Sequence, residues 1–187
     1  MNSPSQATAL ASKLYEQVSV ELDPKESFKE WTRVHYKAFE KLGRESGFEI
    51  CRSGTGGYLL DLIWYSQSSH EIALGLEMEW GTETSTELVS YDFEKLLHIK
   101  APLKVMIFQT RNHDVQSAPI RRKLETEYMA KFSKHMSKEQ YLLVEFTAPW
   151  NKAYCYELII ESDGRLNSPI FKEIEGLRFE WDFLPRS

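Results

Sequence analysis

At 187 residues the chain has the length of one domain, since domains run to roughly 100–200 residues. Hydrophobic residues make up 42%, aromatics 13% and charged residues 27%, with Gly 9 and Pro 7, a globular composition that excludes a largely disordered or collagen-like chain. Acids exceed bases by 28 to 23, a formal charge of -5, which argues against a nonspecific basic coat for nucleic acid but leaves room for a local basic patch or an acidic site that needs metal ions.

Cys51 and Cys155 stand far apart and form no CxxC pair, so neither a disulfide framework nor a cysteine zinc site is expected, and the count suits a reducing cytoplasm. No run approaches the ~18 apolar residues of a membrane span. Residues 1–17 lack a basic region followed by an apolar one, so no secretory signal is expected and the chain reads as soluble and cytoplasmic.

In chain order, Leu10, Leu14 and Val18 suggest a short leading helix within 10–20. Asp23-Pro24-Lys25-Glu26-Ser27 then reads as a helix start, with Ser27 able to cap. Phe28, Trp31, His35, Ala38, Phe39 and Leu42 recur at helical spacing over about 28–45, with Gly43 and Gly47 as stops. His35 falls on the apolar face and reads as a packed core histidine. Short apolar runs follow: strands at 48–52, 58–65 and 71–80, a Gly-rich turn at 53–57, and a hairpin turn at 66–70. A helix over 86–100, with Leu88, Phe93, Leu96 and Leu97 toward the core, ends before Pro102. Beyond it come a dense buried strand at 103–109, a basic helix at about 118–135, strands near 141–147 and 153–161, and a tail at 171–183 that suits a strand or short helix. A meander of three strands followed by a crossover helix into a fourth predicts an α/β fold: a central mixed sheet flanked by helices.

The acids of the second and third strands carry the chemistry. Alternate strand residues share a face, so Ile72, Leu74, Leu76, Met78 and Trp80 form a core face, and Ala73, Gly75, Glu77 and Glu79 form a notched, anionic one. Asp61 lies in the apolar run 58–65, and a short hairpin loop sets it opposite Gly75 or Glu77. Three converging carboxylates raise one another's pKa unless a cation lies between them, and Mg²⁺ or Mn²⁺ suits such oxygen donors. The plain alternative is that Asp61 ends a strand and the two glutamates face solvent.

Leu60-Asp61-Leu62, then Gly75-Leu76-Glu77-Met78-Glu79-Trp80, a helix with Asp92-Phe93-Glu94-Lys95-Leu96-Leu97, and a strand Leu103-Lys104-Val105-Met106-Ile107-Phe108 together resemble the PD-(D/E)XK nuclease superfamily, in particular its restriction-endonuclease-like members. The resemblance spans roughly 28–110 and follows that superfamily's αβββαβ core, with residues 1–26 as an N-terminal extension and further strands within 141–187 of a single domain. It implies Mg²⁺-dependent hydrolysis of DNA phosphodiesters, with Asp61 and Glu77 holding the metal. An acid of the first helix, Glu30 or Glu45, joins some such sites. Where the motif has Lys this chain has Glu79, which would act as a base or an additional ligand, while Lys95 on the following helix would supply a relocated amine. The other reading of that departure is a catalytically inactive fold relative acting as a DNA-binding or protein-assembly module.

Arg121, Arg122, Lys123, Lys131 and Lys134 make the segment 118–138 locally basic and mark it as the expected DNA contact. An amphipathic helix burying Ile120, Leu124, Tyr128 and Phe132 accounts for its apolar positions equally well. Cleavage of both strands of a duplex would suggest a homodimer. Residues 53–57 lack the ending of a P-loop, His98 and His113 have no partner at zinc-ligand spacing, and no Ser/His/Asp or Cys/His motif is present.

Overall fold

The structure, a computed structural model, describes residues 9–10, 13–14, 27–53, 59–80, 86–147, 152–166 and 170–172. Helix α1 (Phe28–Glu45) begins at the cap expected, with the Glu30 amide donating to Ser27 Oγ at 3.4 Å. Strands β1 (Glu49–Arg52), β2 (Leu62–Ser66) and β3 (Glu71–Glu79) follow, then α2 (Thr86–His98), β4 (Leu103–Thr110), α3 (His113–Lys123), a π-helical turn (Leu124–Met129), β5 (Gln140–Thr147), β6 (Lys152–Ile159) and β7 (Ile170–Lys172). Ahead of them, residues 9–10 and 13–14 are helical, and Leu10 and Leu14 are buried in the core as their spacing suggested. Val18, the turn at 54–57, Tyr58 and the tail beyond 172 lie outside the described residues.

The strands form one seven-stranded sheet in sequence order. β1, β2 and β3 are antiparallel neighbours, β3, β4 and β5 run parallel, and β6 and β7 return antiparallel, so the fold is α/β with a mixed sheet as expected. Parallel strands need crossovers, and α2 and α3 supply them. β4 has a parallel neighbour on either side and a layer on both faces, which is why all eight of its residues are buried. On one face, Trp31, Val34, Ala38, Phe39 and Leu42 of α1 cover Leu62, Trp64, Leu76, Val105 and Val144. On the other, Val89, Phe93, Leu96 and Leu97 of α2 meet Ile63, Met106, Phe108 and Leu143, joined by Ile120 and Leu124. His35 is fully buried, its Nδ1 2.8 Å from the Trp31 carbonyl.

Several expectations are corrected. β2 spans Leu62–Ser66 rather than 58–65, so Asp61 precedes the strand instead of lying within it. Trp64 pairs with Leu74 but Tyr65 with Ile72, a bulge that skips Ala73. One extra residue reverses the alternation, and Ile72 therefore packs with the α2-side cluster while Ala73 packs with the α1 side. Leu88 is 47% exposed and Val89 takes its place in the core. The basic helix starts at His113 rather than 118 and its last turn is π-helical, ending at Met129, so Lys131 and Lys134 fall outside it.

Candidate active site

Pairing of β2 with β3 stops at Leu62 opposite Leu76, while β3 continues to Glu79 beside β4. Beyond that last pair the Met78 amide has no strand partner on the β2 side, and Asp61 Oδ2 accepts its hydrogen bond at 2.8 Å. Tyr36 of α1 donates its hydroxyl to Asp61 Oδ1 at 3.2 Å. Asp61 is thus clamped where β2 leaves the sheet. Burial raises its pKa, against the pull of these two hydrogen bonds and of the Lys95 charge. The Tyr36 hydroxyl, half-buried and beside Asp61, is pushed up to about 12, and the Arg52 guanidinium lies over its ring, 4.5 Å from the centroid.

Glu77 follows the face alternation of β3 onto the α2 side, where it is 1% exposed. Lys95 of α2 donates to Glu77 Oε2 at 2.9 Å and lies 2.8 Å from Asp92 Oδ1, one helical turn before it. Glu77 Oε1 is buried and has no hydrogen-bond partner among the described residues. Burial, with the nearby Asp61 and Asp92 charges, pushes the Glu77 carboxyl up to about 8 despite Lys95. Half-buried Glu79 is pushed up to about 7 by burial and by a hydrogen bond and like charge from Asp92. Burial opposes the charge of Lys95, but the Asp92 and Glu77 carboxylates outweigh it and raise its pKa.

Asp61, Glu77, Glu79 and Asp92 therefore feel one another's charge around a single ammonium. Four carboxyls against one cation cannot all ionise cheaply in a buried place. The site either keeps protons at neutral pH or takes up further positive charge. In donor chemistry it fits a hard divalent cation, because Glu77 Oε1 is an oxygen that is desolvated and unused. It is not a preformed chelate: among the described residues no group of three or more His, Cys, Asp or Glu side chains is arranged to hold an ion. The reason is local, since Lys95 sits on Glu77 and Asp61 is turned to the Met78 amide. Nor is the notch at Gly75 open, for a Cβ there would collide with Ile99 Cδ1 and approach Leu60 Cδ1 to 3.0 Å.

The other candidates divide. From α1 the site receives Tyr36, whereas Glu30 is tied to Arg33 and Glu45 is exposed at the helix end. Arg121 turns inward, its guanidinium 4.2 Å from the Tyr156 ring centroid and its Nε 3.4 Å from Ser117 Oγ, and Lys123 is 3.6 Å from Glu87. Arg122, Lys131 and Lys134 are exposed. Two of the five bases expected at DNA, Arg121 and Lys123, are thus engaged within the fold. Asp92 and Tyr36 escaped the sequence reading as site residues; the Asp92–Lys95 spacing of three on a helix was the available signal for the first.

Two buried polar clusters also went unread, because their members are distant in sequence. Glu145 of β5, fully buried, accepts from Ser117 Oγ at 2.5 Å and Thr110 Oγ1 at 2.5 Å, with His113 Nδ1 at 3.1 Å. Ser117 there bonds the carboxylate rather than the imidazole, so no nucleophile–base pair is formed. Lys104 of β4 meets Glu139 Oε1 at 2.5 Å and the Tyr141 hydroxyl at 3.2 Å, all buried.

The sequence matches no protein-family profile, and no curated protein matches it. Among solved structures it is similar to the crystal structure of the central domain of yeast acetyl-CoA carboxylase, at 10% identity and a TM-score of 0.42, over 86% of this chain and 29% of that one. The chain thus spans under a third of the length of that neighbour, and so slight a likeness bears on nothing further. Among the described residues no helix is long and apolar enough to cross a membrane.

Proposed function

We propose that the chain is a divalent-metal-dependent DNA endonuclease, a phosphodiester hydrolase of the PD-(D/E)XK kind, acting at the Asp61–Glu77–Glu79–Lys95 cluster. The observation that carries the proposal is the buried Glu77 carboxylate with one oxygen free, among more acids than Lys95 can neutralise. Asp61 and Glu77 are the residues that would hold Mg²⁺ or Mn²⁺, which when bound supplies a lower pKa for ligated water and neutralises charge on the phosphoryl group.

The chain's own residues do the rest. Tyr36 and the Met78 amide fix the Asp61 carboxylate. Glu79, poised at about 7, is suited to take the proton of an attacking water near neutral pH. Lys95, kept charged by Asp92 and Glu77, is the amine that the motif's usual position lacks, and it favours negative charge developing on a phosphate. Exposed Arg122, Lys131 and Lys134 would add backbone contacts to DNA.

Cleavage of linear single-stranded and duplex DNA in Mg²⁺ or Mn²⁺, by wild type and by Glu77→Gln and Asp61→Asn, tests this. Metal-dependent cutting that each substitution reduces at least a hundredfold is expected. No cleavage of either substrate, or full activity in Glu77→Gln, overturns the reading.

One observation favours the second reading, an inactive relative that binds DNA or another protein. Lys95 occupies the position between Glu77 and Asp92 that a cation would neutralise, and on this view it replaces the metal permanently. Metal ions would then neither bind nor stabilise the chain.

A further inference from the structure

Beside the acid cluster, on the outer side of α2, two large apolar side chains stand unusually bare: Leu59 is 86% exposed and Tyr91 is 68% exposed. Folded chains leave single apolar residues on the surface routinely, but these two line one cleft of about 670 Å³. Its apolar lining is continued by Leu60 and Ile99, and its polar groups are Glu94, Lys95 and His98. The cleft and the acid cluster share Lys95, whose Nζ is 5.9 Å from the Tyr91 ring centroid and 2.9 Å from Glu77 Oε2.

We propose that this cleft takes a nucleobase of the strand being cut, unstacked from its neighbours and laid on the face of Tyr91. The inference rests on the nuclease reading and names its substrate: single-stranded or frayed DNA in preference to intact duplex. Three features select a base over other occupants. An exposed aromatic ring sharing a cleft with aliphatic side chains suits a flat, neutral ring, and base–aromatic stacking tolerates any sequence. Glu94 and His98 offer hydrogen-bonding groups for the edge of a base. The neighbouring excess of acids disfavours an acidic side chain or a free anion as the occupant of the cleft, whereas a nucleobase is uncharged. The volume lies within the ~300–1,000 Å³ of small-molecule sites. A paired base cannot reach such a wall without leaving the stack, which is why duplex is the poorer substrate.

The full chain is titrated in EDTA with a fluorescein-labelled oligothymidylate, with the same oligomer carrying one central abasic residue, and with a matched duplex. Wild type is expected to bind the intact single strand most tightly. Tyr91→Ala should weaken that binding roughly tenfold, a stacking loss, while Tyr91→Phe retains it. The abasic oligomer should bind wild type more weakly than the intact one and lose little further in Tyr91→Ala. Unchanged affinity in Tyr91→Ala, equal binding of abasic and intact strands by wild type, or no binding of single strands overturns the proposal. Cleavage by Glu77→Gln is measured in parallel. Activity that needs Glu77 alongside an inert Tyr91 removes the cleft and keeps the nuclease; Tyr91-dependent binding without Glu77-dependent cleavage keeps the base site and removes the catalytic reading.

Discussion

The Lys95 ammonium lies 2.9 Å from Glu77 Oε2, while the other oxygen of the same buried carboxylate has no partner among the described residues. Half of Glu77 is neutralised and half is stranded. That asymmetry carries the proposed metal chemistry, and it predicts a stability that depends on pH and on cations.

A carboxyl whose pKa is raised by folding keeps a proton that the unfolded chain has released, so stability falls as pH rises from the ordinary value through the folded one. Glu77 and Glu79, moved from 4.5 to about 8 and about 7, act this way. His35, lowered from 6.5 to about 4, opposes them only below 6.5, because its neutral folded form gains stability as pH rises through that lower window. Between pH 6.5 and 8 the acids act alone. The melting temperature should therefore fall by several degrees over that interval in EDTA: at 1.36 kcal/mol per pH unit Glu77 alone accounts for about 2 kcal/mol at most, and half-buried Glu79, screened by solvent, adds less than about 0.7 kcal/mol. Glu77→Gln should flatten the slope, as should Mn²⁺ in wild type; an equal slope in Glu77→Gln would contradict the assignment.

Asp61→Asn keeps one oxygen to accept from the Met78 amide and turns an N–H donor toward the Tyr36 oxygen, which can accept it, so its thermal stability should stay within about 1 kcal/mol of wild type while metal binding is lost. Asp61→Ala strands the buried Met78 N–H and should cost about 1–3 kcal/mol more. Calorimetric unfolding of the two variants separates the structural role of Asp61 from its role as a ligand.

Gly75→Ala tests how α2 is seated. The added methyl meets Ile99 and Leu60 beneath the helix that carries Lys95. A loss of about 1–3 kcal/mol from overpacking is expected in denaturant melts, with cleavage falling because Lys95 moves relative to Glu77. Wild-type stability in this variant would mean that Ile99 yields freely.

Lys104→Met removes the cation beside buried Glu139, whose carboxyl is held at about 2 against burial by bonds from His135, Lys104 and Tyr141. Breaking a buried pair from one side costs about 3–5 kcal/mol. Denaturant unfolding should show that loss, whereas metal affinity at Glu77 should not change.

The fold was legible where periodicity and capping agree. Ser27 and the apolar stripe from Trp31 to Leu42 place α1 correctly, and the apolar run from Val105 to Phe108 reads as a strand covered on both faces. The bulge at Ala73 was not legible, because a skipped residue leaves no trace in alternation and shows only in the pairing of Tyr65 with Ile72. At the candidate site, the face shared by Glu77 and Glu79 follows from strand geometry alone. The clamp on Asp61 does not, since it depends on where β2 parts from β3 and on a tyrosine 25 residues earlier. Lys95 was legible only as an amine on the next helix. Its contact with Glu77 depends on how α2 crosses the sheet, a long-range packing outcome.

Metal-dependent cleavage at this site requires the stranded oxygen of Glu77 to be a cation's ligand. Anomalous scattering from crystals of the full chain soaked in Mn²⁺ measures this directly. A peak is expected within ligating distance of Glu77 Oε1 and the Asp61 carboxylate, with Lys95 displaced from Glu77 toward Asp92. Crystals saturated with Mn²⁺ that show no peak there, and Lys95 still bonded to Glu77, would contradict that ligation.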